Sequence, residues 1–234
     1  MFILGHMCWG YITGKLSSSP LHLKVNPYLL LFLAALPDVD LLLGVFGIHH
    51  RTWTHSILIW SVAFTPFFIK YKRNTIPYFV AVISHIMLGD AIVGRINPIW
   101  PIGKFNFSLG YGLLSIENIA LEAAGLAIFL FWAFKSKEAR TSFFGKSRRN
   151  LWSILSILTL AGFILFTYSF NVTSDAFEEY GILKPSRLID STPLITGHQL
   201  FPIELAMHMI LLVFLSVCLI QGLRKQSRET TLKS

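Results

Sequence analysis

The chain has 234 residues, 53% of them hydrophobic and only 14% charged, with 20 phenylalanines and a mean hydropathy of +0.59. That composition lies outside the range of soluble domains, so it excludes a water-soluble globular enzyme and predicts an integral membrane protein. The formal net charge of +8 reads as a signal of membrane orientation, and no nucleic-acid partner is needed to explain it.

About 20 helical residues cross a hydrocarbon core, and on that measure the chain divides into an all-α, polytopic transmembrane helix bundle of about six or seven helices, some short or interrupted. Residues 1–14, around His6, are apolar but too short for a full span, and they lack the basic leader of a signal peptide. Residues 28–48 form an apolar stretch interrupted by Pro37 and two aspartates. A short span follows over 56–69, then longer ones over 75–94 and 113–134. The span 151–170 carries no charge, and a last one covers 201–223. These group as a membrane domain over 1–134, a basic loop over 135–150 and additional spans over 151–234. The outer loop 171–200 carries an Asn171-Val172-Thr173 glycosylation triplet and is read as a lid or partner surface. Cys8 and Cys218 lie in separate apolar segments, which predicts buried thiols and neither a disulfide framework nor a cysteine zinc site.

Loops rich in Lys and Arg stay in the cytoplasm. Lys15, Lys24, the run Lys70 to Arg73, the segment 135–149 and the tail from Arg224 then fall on one side, making the C-terminus of this multi-pass plasma or inner membrane protein cytoplasmic. Arg51, Arg95, Lys104, Lys184 and Arg187 fall on the other. With that orientation His6, Asp38, Asp40, His50, His55, His85, Asp90 and Glu117 all lie at the outer side. Ionised groups near lipid cost about 2.5–3.5 kcal/mol each on insertion scales, so this many at one depth call for a compensating partner. A metal ion is the simplest one.

Pro37 breaks its helix, and Asp38 and Asp40, two apart, point to one side if the turn is extended. Thr52 or Thr54 is placed to cap a helix beginning near His55. Arg51 suits an ion pair with Asp38 or Asp40, or a substrate phosphate. His85 and Asp90 are five apart, which on an α-helix separates them by about 140° unless Gly89 permits a π-bulge. Glu117 and Glu122 share that spacing on the next span. Glu204 and His208, four apart, read as a structural pair on one helix face.

Taken together, Gly5-His6, Leu36 to Asp40 (LPDVD), His50-Arg51 followed by Thr54-His55-Ser56, Ser84-His85 with Asp90, Pro98 to Pro101 (PIWP) and Glu117 resemble the predicted membrane-bound metal-dependent hydrolases of the YdjM type, LexA-regulated inner-membrane proteins. The resemblance covers roughly residues 1–130. It implies a helical membrane protein whose His and Asp residues bind a divalent metal and hydrolyse an ester or phosphoester. The chain departs from the family pattern in two places: the aspartate usually follows the histidine by four residues, not five, and Thr52 stands where glycine is common.

The expected function is therefore a membrane-embedded hydrolase of a (phospho)ester, a lipid by preference because of the depth of the site. Its metal ligands are drawn from His6, Asp38, Asp40, His50, His55, His85 and Asp90. Neutral imidazole with carboxylate suits zinc, and a carboxylate-rich subset admits manganese. Asp40 or Glu117 is placed as general base, and Arg51 as the phosphate clamp. The alternatives from other classes are an ion- or proton-coupled transporter, since intramembrane His, Asp and Glu also mark ion paths, and a structural protein whose polar cluster holds its helices together.

Overall fold

The computed structural model describes residues 1–43, 50–103, 105–144, 150–170 and 197–231. His49, Lys104, residues 145–149 of the basic loop, and the outer loop up to residue 196 with its glycosylation triplet lie outside the described residues. Among the described residues every regular element is helical.

Helix α1, Ile3–Ser18, is the axis of the bundle. Its sixteen residues, about 24 Å of helix, present no polar face, and most are buried. It packs against α2, Pro27–Ala35, against α5, Ile76–Ser84, and against α7, Ile116–Lys135. A segment that the sequence presents as a short insertion is thus enclosed by its neighbours, which explains how His6 is carried into the interior.

Helix α2 starts where Asn26 accepts hydrogen bonds from the backbone N–H groups of Tyr28 (3.2 Å) and Leu29 (3.5 Å), with Pro27 at the first helical position. Pro37 does not leave an extended turn. The chain tightens into a 3₁₀ turn over Leu36–Asp38 and continues into α3, Val39–Leu43. Helix α4, Ile57–Tyr71, is capped by Ser56, whose hydroxyl accepts from Ile59 N (3.4 Å), so neither Thr52 nor Thr54 is the cap. At Lys72 the backbone takes φ of 50° and reverses into a 3₁₀ turn, Lys72–Thr75. Phe64 and Phe68 of α4 then meet Phe79 of α5, with ring centroids 5.4 and 5.5 Å apart, so the two helices form an antiparallel hairpin.

Beyond α5 the chain makes a π-helical turn, His85–Asp90, and a last short turn, α6, Ala91–Val93. A loop follows, pinned by the antiparallel pair Ile96 and Phe107 and leading to α7, whose cap is Ser115 accepting from Asn118 N (3.2 Å). Helices α8, Lys137–Phe144, α9, Asn150–Phe170, and α10, Gly197–Thr231, complete the bundle. Helix α9 lies against α2 and α10, and α10 against α7 and α8. Tyr11, Phe129, Phe143 and Phe214 interlock edge to face where α1, α7, α8 and α10 meet, with Phe129 5.1 Å from Tyr11 and 5.5 Å from Phe214.

Among the described residues, three stretches are long and apolar enough to cross a membrane: 57–93, 116–135 and 200–224. The first is folded as the α4–α5 hairpin. Val62, Phe131, Leu158 and Val213 are exposed on these and neighbouring helices, as expected of a surface that faces lipid. Lys15, Lys70 and Lys135 stand in the last turns of α1, α4 and α7. His6, His55 and Glu117 lie at the opposite ends of those three helices.

Candidate metal centre

Four helix ends deliver the ionisable cluster. His6 comes from the first turn of α1, Asp38 and Asp40 from the 3₁₀ turn and helix after α2, His55 from a 3₁₀ turn, Trp53–His55, just before α4, and His85 and Asp90 from the π-turn after α5. Their exposure is 5% or less in every case.

The π-turn answers the spacing problem. In an α-helix five residues overshoot one turn, but an i→i+5 turn closes on that interval, and here Ala91 N–H donates to Ile86 O. His85 Nε2 and Asp90 Oδ2 consequently lie 3.3 Å apart. Glycine at position 89 has a second use, because a Cβ there would collide with the imidazole of His6. His6 stacks on His85 instead, with ring centroids 3.6 Å apart.

Three imidazoles have their Nδ1 occupied and their Nε2 turned inward. His85 Nδ1–H donates to the backbone oxygen of Ala34 (2.7 Å), and His50 Nδ1–H donates to Asp40 Oδ1 (2.8 Å). Thr54 Oγ1 donates to Asp40 Oδ2, which leaves the hydroxyl oxygen to accept from His55 Nδ1–H at 2.9 Å. These partners define the tautomers, and each ring is left with a lone pair on Nε2. The His55 and His85 Nε2 atoms are 3.2 Å apart, so with both rings neutral in these tautomers their lone pairs face each other. Around them, Asp38 Oδ1 is 3.5 Å from His55 Nε2 and 3.3 Å from His85 Nε2, while Asp90 Oδ2 is 2.5 Å from His55 Nε2.

Apart from the 2.5 Å contact between His55 and Asp90, those separations match a metal polyhedron. Ligand atoms about 2.0–2.1 Å from a tetrahedral zinc are about 3.3–3.4 Å from each other. Two groups, His6, Asp38, His85 and Asp90, and Asp38, His50, His55 and Asp90, each offer ligand atoms that all lie within 4.8 Å of one another. Asp90 Oδ2 is buried against the Nε2 atoms of both His55 and His85, so its charge needs a proton or a cation between them. This buried His/Asp group can hold a metal ion.

The remaining polar residues support it. Asp40 accepts from His50, Thr54 and the backbone N–H of Arg51 (3.1 Å), so it fixes two imidazoles and the turn between them. Arg51 has a left-handed φ of 64° and pairs not with Asp38 or Asp40 but with Asp90, Nη2 to Oδ1 at 3.2 Å. Its Nε is buried without a partner, and a Cβ at Gly94 would collide with the guanidinium. Glu117 opens α7 and belongs to neither ligand group. Glu122 accepts from the backbone N–H groups of Phe2 (2.7 Å) and Gly5 (3.2 Å), and His208 Nε2 accepts from Leu4 N (3.3 Å). With Glu204 3.0 Å from His208 Nδ1, these three side chains anchor the start of α1.

A family profile described as YdjM inner membrane protein matches residues 1–173. The chain belongs to the YdjM inner membrane protein family. The match runs past residue 130, where the recognisable motifs end, and through α9, which packs on α2. Every residue of the His/Asp cluster falls within the YdjM region. No curated protein and no solved structure matches the chain.

The carbonyl of Ala34 is not marked as part of a site by its sequence, and Thr54, although it stands in the Thr54-His55-Ser56 motif, reads there as a helix cap. The partner of Arg51 is equally illegible in the sequence, since Asp90 is 39 residues away.

Proposed function

We propose that this YdjM-family protein is a membrane-embedded, divalent-metal-dependent hydrolase of (phospho)esters, acting on a lipid from the outer side of the membrane. The observation that carries the reading is the trio of imidazoles whose Nδ1 atoms are tied down while Nε2 atoms converge on Asp38 and Asp90. A purely structural cluster gains nothing from two facing imidazole lone pairs, whereas a cation between them removes the repulsion.

His55 and His85 with Asp38 and Asp90 are the residues that would hold the ion, and zinc suits this mixed nitrogen and oxygen set. When bound, a divalent ion polarises the scissile ester and brings the pKa of a water to about 7. The chain itself supplies the rest. Asp40 and Thr54 keep the imidazoles in one tautomer and orientation. Arg51, with one nitrogen on Asp90 and Nε unused, holds a phosphate oxygen beside the centre.

The outward placement follows from the basic residues at the far ends of α1, α4 and α7, which the positive-inside rule puts in the cytoplasm together with Arg224. A lipid substrate is supported by the loop 95–111 at the same end. Ser56, next to His55, donates to Trp100 O (2.7 Å), and Leu109 N, donating to Ala91 O, ties the loop beside Asp90. Ile102 (80% exposed), Phe105 (59%) and Trp100 (38%) project from it, a composition suited to the headgroup region.

The test is hydrolysis of fluorogenic phospholipid and neutral lipid esters by full-length protein purified in detergent, with Zn²⁺ or Mn²⁺. The expected result is turnover that a chelator stops, metal restores and both Asp38→Ala and His55→Ala abolish. Metal-loaded protein that turns over none of these substrates contradicts the hydrolase reading.

A further inference from the structure

The two aspartates shared by both ligand groups divide their oxygens between two sides. Asp38 Oδ1 faces His55 (3.5 Å), His85 (3.3 Å) and His50 (4.0 Å), while Asp38 Oδ2 faces His6 at 3.9 Å. Asp90 Oδ2 faces His55 and His85, and Asp90 Oδ1 faces His6 at 3.7 Å and Arg51 at 3.2 Å. One oxygen of each carboxylate thus belongs to the His55–His85 side and the other to the His6 side. His6 Nε2–H donates to the carbonyl of Met1 at 3.1 Å while Nδ1 is buried without a partner, so an ion held by Nε2 would take the place of that proton.

We infer that the centre is binuclear, with Asp38 and Asp90 as bridging carboxylates. The inference rests on the reading of the cluster as a metal centre and concerns how many ions it takes. The first position, lined by His55 Nε2, His85 Nε2, Asp38 Oδ1 and Asp90 Oδ2, has two nitrogens and two oxygens, a donor set that suits zinc. The second, lined by His6, Asp38 Oδ2 and Asp90 Oδ1, is richer in oxygen. Its protein ligand set is short of a full shell, and it suits a harder ion such as Mn²⁺ as well as Zn²⁺. One ion leaves the second pair of oxygens, both buried, facing a single imidazole and one arginine. Two ions use all four oxygens.

The side on which Arg51 lies gives the second position its role. Asp90 Oδ1 lies near both His6 and Arg51, so an anion held by the guanidinium lies next to the oxygen-rich position. The site is therefore built for a phosphate-bearing group spanning Arg51 and the second ion, and a neutral carboxylic ester gains nothing from Arg51.

Metal content of full-length protein in detergent, loaded with Zn²⁺ and freed of excess, tests this by mass spectrometry of the metal. Two ions per chain are expected, falling to one in His6→Ala and to fewer than one in Asp38→Ala. In Mn²⁺-loaded wild type, electron paramagnetic resonance should show the exchange-coupled signal of an ion pair, a readout that needs no variant to fold. Inorganic phosphate should perturb that signal in wild type and at least tenfold more weakly in Arg51→Ala. One zinc per chain with an uncoupled Mn²⁺ signal overturns the binuclear inference and leaves the hydrolase reading standing. Protein that takes up no ion at all overturns the metal centre itself.

Discussion

Thr54 is the least conspicuous member of the site, and its removal gives a sharp test of the arrangement. Thr54→Val keeps the branched shape while deleting the hydroxyl that donates to Asp40 and accepts from His55 Nδ1. Thr54 is 1% exposed, as buried as its two partners, so water has no room to replace the hydroxyl. His55 loses the acceptor that fixes its tautomer, and such a partner is worth about 10- to 100-fold in metal affinity. That range corresponds to about 1.4–2.8 kcal/mol. Apo-protein stability should fall by about 1–3 kcal/mol as well, the usual cost of leaving a buried polar atom unpaired. Competition against a calibrated chelator measures the affinity, and thermal unfolding followed by near-ultraviolet circular dichroism measures the stability. Thr54→Ser should recover most of both losses because it keeps the hydroxyl. Zinc affinity within twofold of wild type in Thr54→Val would refute the assignment of His55 as a ligand oriented by this hydroxyl.

Other consequences are equally direct. Gly89→Leu puts a side chain where the His6 ring lies, so it should cost about 1–3 kcal/mol of stability through overpacking, and a further loss of metal at the His6 position should appear in the metal count. Arg51→Lys keeps the charge and loses the planar fork, so phosphoester turnover should fall by about tenfold or more, chiefly through KM, while metal content is unchanged; steady-state kinetics beside metal analysis separates the two. Glu122→Gln replaces one of the two oxygens that accept N–H groups at the start of α1 by an NH2, and a buried donor left unpaired costs about 1–3 kcal/mol. Its thermal midpoint should drop even in metal-free protein, whereas a residue acting only through the ion would show the effect only when metal is bound.

Much of the site is legible in the sequence because its parts are short-range. The ligand-bearing residues stand out as polar atoms in apolar surroundings. Other parts are hidden by physics that spacing does not carry. The interval from His85 to Asp90 is unfavourable on an α-helix and correct on a π-turn, and Gly89 marks the place without fixing the outcome. Pro37 reads as a helix breaker that opens the chain, yet the following residues re-form helix and bury both aspartates. The cap of α4 is Ser56, two residues past Thr54 and four past Thr52, which frees Thr54 for the site. Helix α1 is hidden for a different reason: a segment buried on nearly all sides shows no amphipathic period, so its central place emerges only when α2, α5 and α7 close around it. Arg51 shows the limit most clearly, since its partner is chosen by how the π-turn folds back.

The most direct test of the whole account is zinc K-edge X-ray absorption on the full-length protein in detergent. The predicted spectrum has a first shell of nitrogen and oxygen at about 2.0–2.1 Å, with the outer-shell scattering of imidazole, and that outer shell should weaken sharply when His55 and His85 are replaced together by alanine. A shell of oxygen alone, or a spectrum indifferent to the double substitution, would contradict the claim that these buried histidines are the ligands of a metal centre.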